Sequence, residues 1–132
     1  MAKHNEIGKI GEDIAANFLK KNGLKIIERN YRKPYGEIDI VACETNLIRF
    51  VEVKSVSYIP TDRQEKQDKS VSRGIRPEEN LHPQKIRRLA RVIETYIVSH
   101  ETGEWAFDLL CVYINQKDHT AKVKWIKDII LS

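Results

Sequence analysis

Residues 36–56 read Gly36-Glu37-Ile38-Asp39-Ile40-Val41-Ala42-Cys43-Glu44-Thr45-Asn46-Leu47-Ile48-Arg49-Phe50-Val51-Glu52-Val53-Lys54-Ser55-Val56. Two strand-like runs, rich in Val, Ile and Phe, flank the polar connection Cys43 to Asn46, a pattern that predicts a β-hairpin. Side chains alternate faces along a strand, so Ile48, Phe50, Glu52 and Lys54 share one face and Leu47, Val51 and Val53 the other. Large apolar groups on both faces predict a central strand covered from two sides. Two acids interrupt this apolar stretch: Asp39 between Ile38 and Ile40, and Glu52 between Val51 and Val53. Burying such a charge costs several kcal/mol unless it is paired or binds a metal. If Thr45 and Asn46 form a two-residue turn, Asp39 directly faces Glu52, with Cβ atoms about 5 Å apart. Two carboxylates that close do not both stay ionised cheaply without positive charge between them. Lys54 supplies some, and a divalent cation would supply more. Hard oxygen ligands with no Cys or His nearby favour Mg2+ or Mn2+ over Zn2+. The residues alone leave two readings open, a divalent-metal site and a structural Asp-Glu-Lys ion-pair cluster.

The flanking sequence supplies the rest of the domain. Ile7, Ile10, Ile14, Phe18 and Leu19 form the apolar stripe of a helix expected from Glu6 to Asn22, with Asn5 as its N-cap and Gly23 as its left-handed stop. Gly8 and Gly11 each cost such a helix about 1 kcal/mol against alanine, which predicts another backbone passing close by. Glu12 falls at the edge of the stripe beside Ala15 and Leu19, whereas Asp13 points to solvent. A strand is expected over Leu24 to Arg29, ended by the polar stretch Asn30 to Pro34. A second helix opens on Pro83 and runs to about Ser99, with Ile86, Leu89, Ala90, Ile93, Tyr96 and Ile97 facing inward and Gln84, Arg87, Arg88 and Arg91 opposite. Strands over Glu104 to Ile114 and Ala121 to Ile126 complete the order helix, three strands, helix, two strands, which is α/β with a mixed sheet. Asp108 is expected in a structural ion pair, Trp105, Phe107 and Trp125 in the core, and the four histidines, His4, His82, His100 and His119, at the surface.

Composition bounds the function. The chain has 132 residues, with 23 Lys+Arg against 19 Asp+Glu, which suits a single domain spanning 1–132. Residues 61–91 carry nine basic and five acidic side chains, a difference equal to the whole net charge of +4. That imbalance reads either as a solvated segment or as a surface for a polyanion. Overlapping it, residues 57–80 show no apolar period and are expected to form a mobile basic loop. No apolar run is long enough to cross a membrane, no secretory h-region is visible, and Cys43 and Cys111 form no Cys-x-x-Cys pair. A cytoplasmic location is the expectation.

Five ordered motifs carry a family resemblance: Gly8-x-x-Gly11-Glu12, Arg29-Asn30-Tyr31-Arg32, Gly36-Glu37-Ile38-Asp39, Phe50-Val51-Glu52-Val53-Lys54 and Phe107-Asp108. Together they resemble the bacterial YraN-type family, and the Asp39…Glu52-x-Lys54 spacing is similar to the signature of the restriction-endonuclease-like nuclease superfamily. The likeness runs from Ile7 to about Ile126. It implies a restriction-endonuclease-like core, a mixed sheet flanked by helices, akin to archaeal Holliday-junction resolvases. It also implies a catalytic set of Glu12, Asp39, Glu52 and Lys54. Asp39 and Glu52 would ligate Mg2+ or Mn2+, Lys54 would orient or polarise the attacking water, and Glu12 would match the extra acid of the resolvase-like branch. Two positions depart from the superfamily pattern: Gly36-Glu37-Ile38 stands where a proline usually precedes the first acid, and Ser55 where relatives often have arginine.

The expected function is metal-dependent endonucleolytic cleavage of nucleic acid, DNA rather than RNA. Arg73, Arg76, Lys85, Arg87, Arg88 and Arg91 would contact backbone phosphates. Gln84 and Lys85 also lie on the part of the second helix that would reach the acids, and Glu37 at their rim. Resolvase-like relatives work as dimers, which makes a homodimer an expectation. The alternatives are a non-catalytic nucleic-acid-binding domain that keeps the nuclease fold, and a plain interaction module whose basic helix meets an acidic protein.

Overall fold

A computed structural model describes residues 4–60 and 82–131. The elements are α1 (His4–Lys21), β1 (Lys25–Lys33), β2 (Gly36–Glu44), β3 (Leu47–Tyr58), α2 (Pro83–Ser99), β4 (Trp105–Asn115) and β5 (Ala121–Ile126). The five strands form one mixed sheet in the order β1-β2-β3-β4-β5. β3 runs parallel to β4, and the other neighbours are antiparallel. The expected α/β architecture is therefore present, and α2 lies on the crossover that a parallel pair requires.

Each face of the sheet packs under one helix. Ala15, Ala16 and Leu19 of α1 meet Ile40, Ala42, Val51, Leu110 and Val112, while Leu89, Val92, Ile93 and Tyr96 of α2 meet Tyr31, Ile38, Val41, Phe50 and Phe107. β3 is thus covered from both sides, with the adjacent residues Phe50 and Val51 both fully buried. The α1 C-terminus stops as expected, with Gly23 at φ 88° and the Leu24 N–H donating to the Leu19 carbonyl at 3.0 Å. Its described N-terminus begins earlier than expected, at His4, so Asn5 lies inside the first turn and not at the N-cap. Ile10, assigned to the apolar stripe, is exposed.

Two strand boundaries move for physical reasons. β1 continues through the polar residues to Lys33, because Asn30 takes a left-handed φ of 54° inside the strand instead of ending it. Asn30 lies level with Asp39 between the pairs Arg29↔Ile40 and Tyr31↔Ile38. The kink breaks simple alternation: Tyr31 and Ile38 join the α2 side, whereas Ile40 packs under α1. β3 extends to Tyr58 because β4 pairs with it as far as Tyr58↔Asn115. Ser57 and Tyr58 are therefore sheet residues, not the start of the loop expected over 57–80, and the rest of that loop from residue 61 lies outside the described residues. Trp105 is exposed at the sheet's end, although its ring meets Phe50 edge-on at 5.8 Å, so only Phe107 is fully buried among the late aromatics expected in the core.

Candidate active site

The hairpin register follows from its two-residue turn. Glu44↔Leu47, Cys43↔Ile48, Ala42↔Arg49, Val41↔Phe50 and Ile40↔Val51 are the paired positions. The ladder stops there, one step short of Asp39 and Glu52. Beyond it, β2 keeps pairing with β1 through Ile38, Glu37 and Gly36, and β3 keeps pairing with β4 from Glu52 onward. The two central strands part at the acids. Asp39 fills the missing rung, its Oδ2 accepting the Val53 N–H at 2.8 Å.

A cavity of about 730 Å3 opens at this fork, lined by Gly8 and Glu12 of α1, by Gly36, Glu37, Asp39, Glu52, Lys54 and Ser55 of the strands, and by Gln84, Lys85, Arg88 and Leu89 of α2. α1 and α2 cover opposite faces of the sheet, and where β2 and β3 separate both reach one space. Two glycines bring the helices in. A Cβ on Gly11 would stand 1.7 Å from Ser55 Oγ, and one on Gly36 would stand 3.2 Å from the Arg88 carbonyl oxygen. Gly11 thus meets the close neighbour expected of it. Gly8 does not: among the described residues, nothing beyond its own helix turn lies within 4 Å of its would-be Cβ, and it borders the cavity instead.

The charges in this space are in conflict. Asp39 and Glu52 are 9% and 6% exposed. Burial, then the nearby Glu52 charge and the hydrogen bond between the two carboxyls, push Asp39 up to about 9, against a partial offset from the Val53 N–H. Burial also raises Glu12, reinforced by Glu37, Asp13 and Glu52 and opposed by Arg29. Two lysines answer the acids. Lys85 Nζ lies 2.5 Å from Glu52 Oε2, and Lys54 Nζ lies 3.9 Å from the same oxygen. Burial and then the adjacent Lys85 lower Lys54, whereas for Lys85 burial is outweighed by its hydrogen bonds to Glu52 and Lys54 and by the Glu52 and Asp39 charges, leaving it raised.

The structure brings Glu12, Asp39, Glu52 and Lys54 into one cavity, and Lys85 and Arg88 with them. Glu37 stands at the rim in an ion pair with Arg32 at 2.6 Å. Arg87 and Arg91 lie outside, in an adjoining groove of about 880 Å3 that also holds Arg32, Lys33 and Tyr35 and shares Gly36, Glu37, Gln84 and Arg88 with the cavity. Arg91 stacks 3.9 Å above the Tyr35 ring. Arg73 and Arg76 lie outside the described residues. Sequence reasoning missed His82, which lines the cavity one residue before Pro83 opens α2. Its place next to a helix-starting proline was the available signal. Asp108 is a structural ion-pair residue as expected, fully buried against Arg49.

Among the described residues, no group of three or more His, Cys, Asp and Glu is gathered closely enough to hold a metal ion. Two carboxylates are nonetheless a suitable protein share for Mg2+, which is often held by one or two carboxylates with water and substrate phosphate filling the rest. Burial raises Asp39 first and the Glu52 charge adds to it, and that added repulsion is the kind a hard divalent cation relieves. The donor set fits such an ion.

The wider chain has clear relatives. A UPF0102 protein of Flavobacterium psychrophilum is 35% identical over 119 residues, covering 89% of each chain. A UPF0102 protein of Caldicellulosiruptor saccharolyticus is 36% identical over 125 residues, covering 93% of this chain and 95% of its own. A solved structure of Pyrococcus furiosus SfsA in complex with Ca2+ aligns at a TM-score of 0.39 with 17% identity, over 93% of this chain and 63% of that one, a likeness too loose to bear on function. No helix among the described residues is long and apolar enough to cross a membrane. The model of the uncharacterised protein family UPF0102 matches residues 11–112, and the chain belongs to that family, the YraN-type family its ordered motifs resemble.

Proposed function

We propose that the protein is a metal-dependent phosphodiesterase of the restriction-endonuclease-like superfamily, an endonuclease acting on nucleic acid, with DNA as the expected polymer. The observation that carries this reading is the Asp39–Glu52 carboxyl pair, hydrogen-bonded and flanked by Lys54 and Lys85 in a cavity open to both helices. A bound Mg2+ or Mn2+ would supply a Lewis acid and a more acidic water. Asp39 and Glu52 would hold that ion. Lys54 would orient the attacking water and place a fixed positive charge beside the phosphorus as negative charge builds there. Glu12, facing from α1, would position water on the opposite side of the fork. The adjoining groove supports a polyanion: Arg87, Arg88, Arg91 and Lys33 would bind successive backbone phosphates, contacts that position a strand without reading its sequence.

A second reading, a non-catalytic nucleic-acid-binding domain, draws on one specific observation: Lys85 already engages the Glu52 oxygen that a metal would need. One experiment separates the two. Labelled linear, nicked and branched DNA and matching RNA are incubated with Mn2+ or with EDTA, using wild type, Lys54→Ala and Arg87/Arg88/Arg91→Ala. The proposed function predicts Mn2+-dependent cleavage that Lys54→Ala reduces by about 100-fold or more. The triple variant should bind DNA with a salt slope shallower by up to about 2.7, three times 0.9. Binding with that slope and no cleavage of any substrate favours the second reading; no binding at all overturns both.

A further inference from the structure

We infer that Lys85 is a tethered competitor of the metal: it guards Glu52 in the free protein and hands that oxygen over when a divalent ion arrives, moving its charge toward the substrate phosphate. The inference rests on the function proposed above and concerns a step that comes before catalysis.

Three observations lead to it. Lys85 Nζ lies 2.5 Å from Glu52 Oε2, closer than Lys54 at 3.9 Å, so the acid's outer oxygen is already spoken for by a side chain of α2 and not of the sheet. A divalent ion needs carboxylate oxygens at about 2.1 Å, and an ammonium on the same oxygen would meet it with like-charge repulsion, so the two exclude one another. The position of Lys85 is also poor for its helix. α2 has no acidic residue in its first turn, and a lysine there opposes the positive end of the helix dipole. Helix stability gives no reason for a cation at that place, whereas the paired acids below it do.

The release path is built into the same wall. Lys85 and Arg88 line the cavity from one helix, and Arg88 continues into the groove with Arg87 and Arg91. A flexible four-carbon stem lets an ammonium displaced from Glu52 swing into the cavity beside those arginines, where a phosphate held at the fork offers it a new partner. Metal and phosphodiester then favour each other's binding through one side chain, and the coupling is reciprocal.

Mn2+ binding to the full chain, measured by electron paramagnetic resonance of the free ion with no nucleic acid present, tests the inference without any reference to activity. Lys85→Met should bind Mn2+ tighter than wild type by about tenfold or more. Lys85→Arg, which keeps the charge, should stay near wild type, and circular dichroism should show both variants folded. Lys54 remains beside Glu52 in either variant, so the acid is not stranded. Mn2+ binding by wild type that Lys85→Met leaves unchanged or weakens overturns the role of Lys85 alone. Binding by neither protein overturns it together with the metal site it rests on.

Discussion

Two clusters of charge are built into this sheet, and they are finished in opposite ways. Around Asp108 every demand is met. Arg49 Nη1 donates to both carboxylate oxygens at 3.0 and 3.1 Å, the Trp125 indole N–H donates at 3.0 Å and the Asp128 backbone N–H at 2.9 Å. Glu44 and Asp128 take the remaining reach of the same guanidinium. Around Asp39 the demands compete: two buried carboxyls share one space, and two ammoniums converge on a single oxygen. The first cluster ties the chain after β5 back onto β4 and is closed. The second lies where two strands part, opens into a cavity, and keeps an electrostatic conflict that an incoming ligand can resolve. Equal burial of an acid therefore says little about its purpose, whereas the balance of its partners says much.

The largest expected effect comes from breaking the closed cluster. Asp108→Asn puts an amide N–H among donors and takes from Arg49 its buried partner, leaving it only the more exposed Glu44 and Asp128, and should cost about 3 kcal/mol. A fall in melting temperature of more than about 10 °C, unaffected by Mn2+, checks it. The same exchange in the open cluster should have the opposite sign. Asp39 is raised, so the native chain holds a proton there that the unfolded chain releases above about pH 4. Wild type therefore loses stability as pH rises from about 4 toward about 9. Asp39→Asn removes that loss and should melt higher in EDTA by about 2–3 kcal/mol at about pH 7, with the gain vanishing near about pH 4. Equal melting of the two proteins across that range would make Asp39 an ordinary paired acid. Smaller effects test how α1 is held against the open cluster. Gly11→Ala should cost about 1–2 kcal/mol by driving a methyl into Ser55, with Ser55→Gly restoring most of it. Gly8→Ala meets no neighbour within 4 Å among the described residues and should gain about 0.5–1 kcal/mol of helix stability. Urea melts of the three variants check both signs.

The hairpin was legible in the sequence because its information is local. A two-residue turn fixes register, alternation fixes faces, and the apolar run on both faces of β3 marks it as central. The boundaries of α2 and β5 were equally plain, since proline, periodicity and a polar turn mark them. The fork was not legible. Nothing in Gly36-Glu37-Ile38 announces that β2 leaves β3 there, because the cause is non-local: the Asn30 kink beside Asp39 and the rival ladders to β1 and β4. For the same reason the reach of Lys85 toward the acids was legible but its pairing with Glu52 was not, and His82, exposed as expected, gave no sign that it lines the cavity. Each depends on where a crossover helix starts in space, which spacing along the chain does not encode. Gly8 and Gly11 looked alike in sequence, yet only Gly11 meets Ser55.

The strand order carries a colloidal consequence. Among the described residues β1 and β5 are the outer strands of the sheet, each with one edge that no other strand covers. Such edges invite a second copy to add its own strand, the first step of aggregation. Here the outer strands carry cations: Lys25 and Lys33 on β1, beside Arg29 and Arg32, which pair with Asp13 and Glu37, and Lys122 and Lys124 on β5. Like charges repel an approaching copy, so the chain resists edge-to-edge stacking at low ionic strength. Any polyanion that neutralises those side chains would lift the same protection, so the balance between solubility and co-precipitation would turn on the counter-charge present.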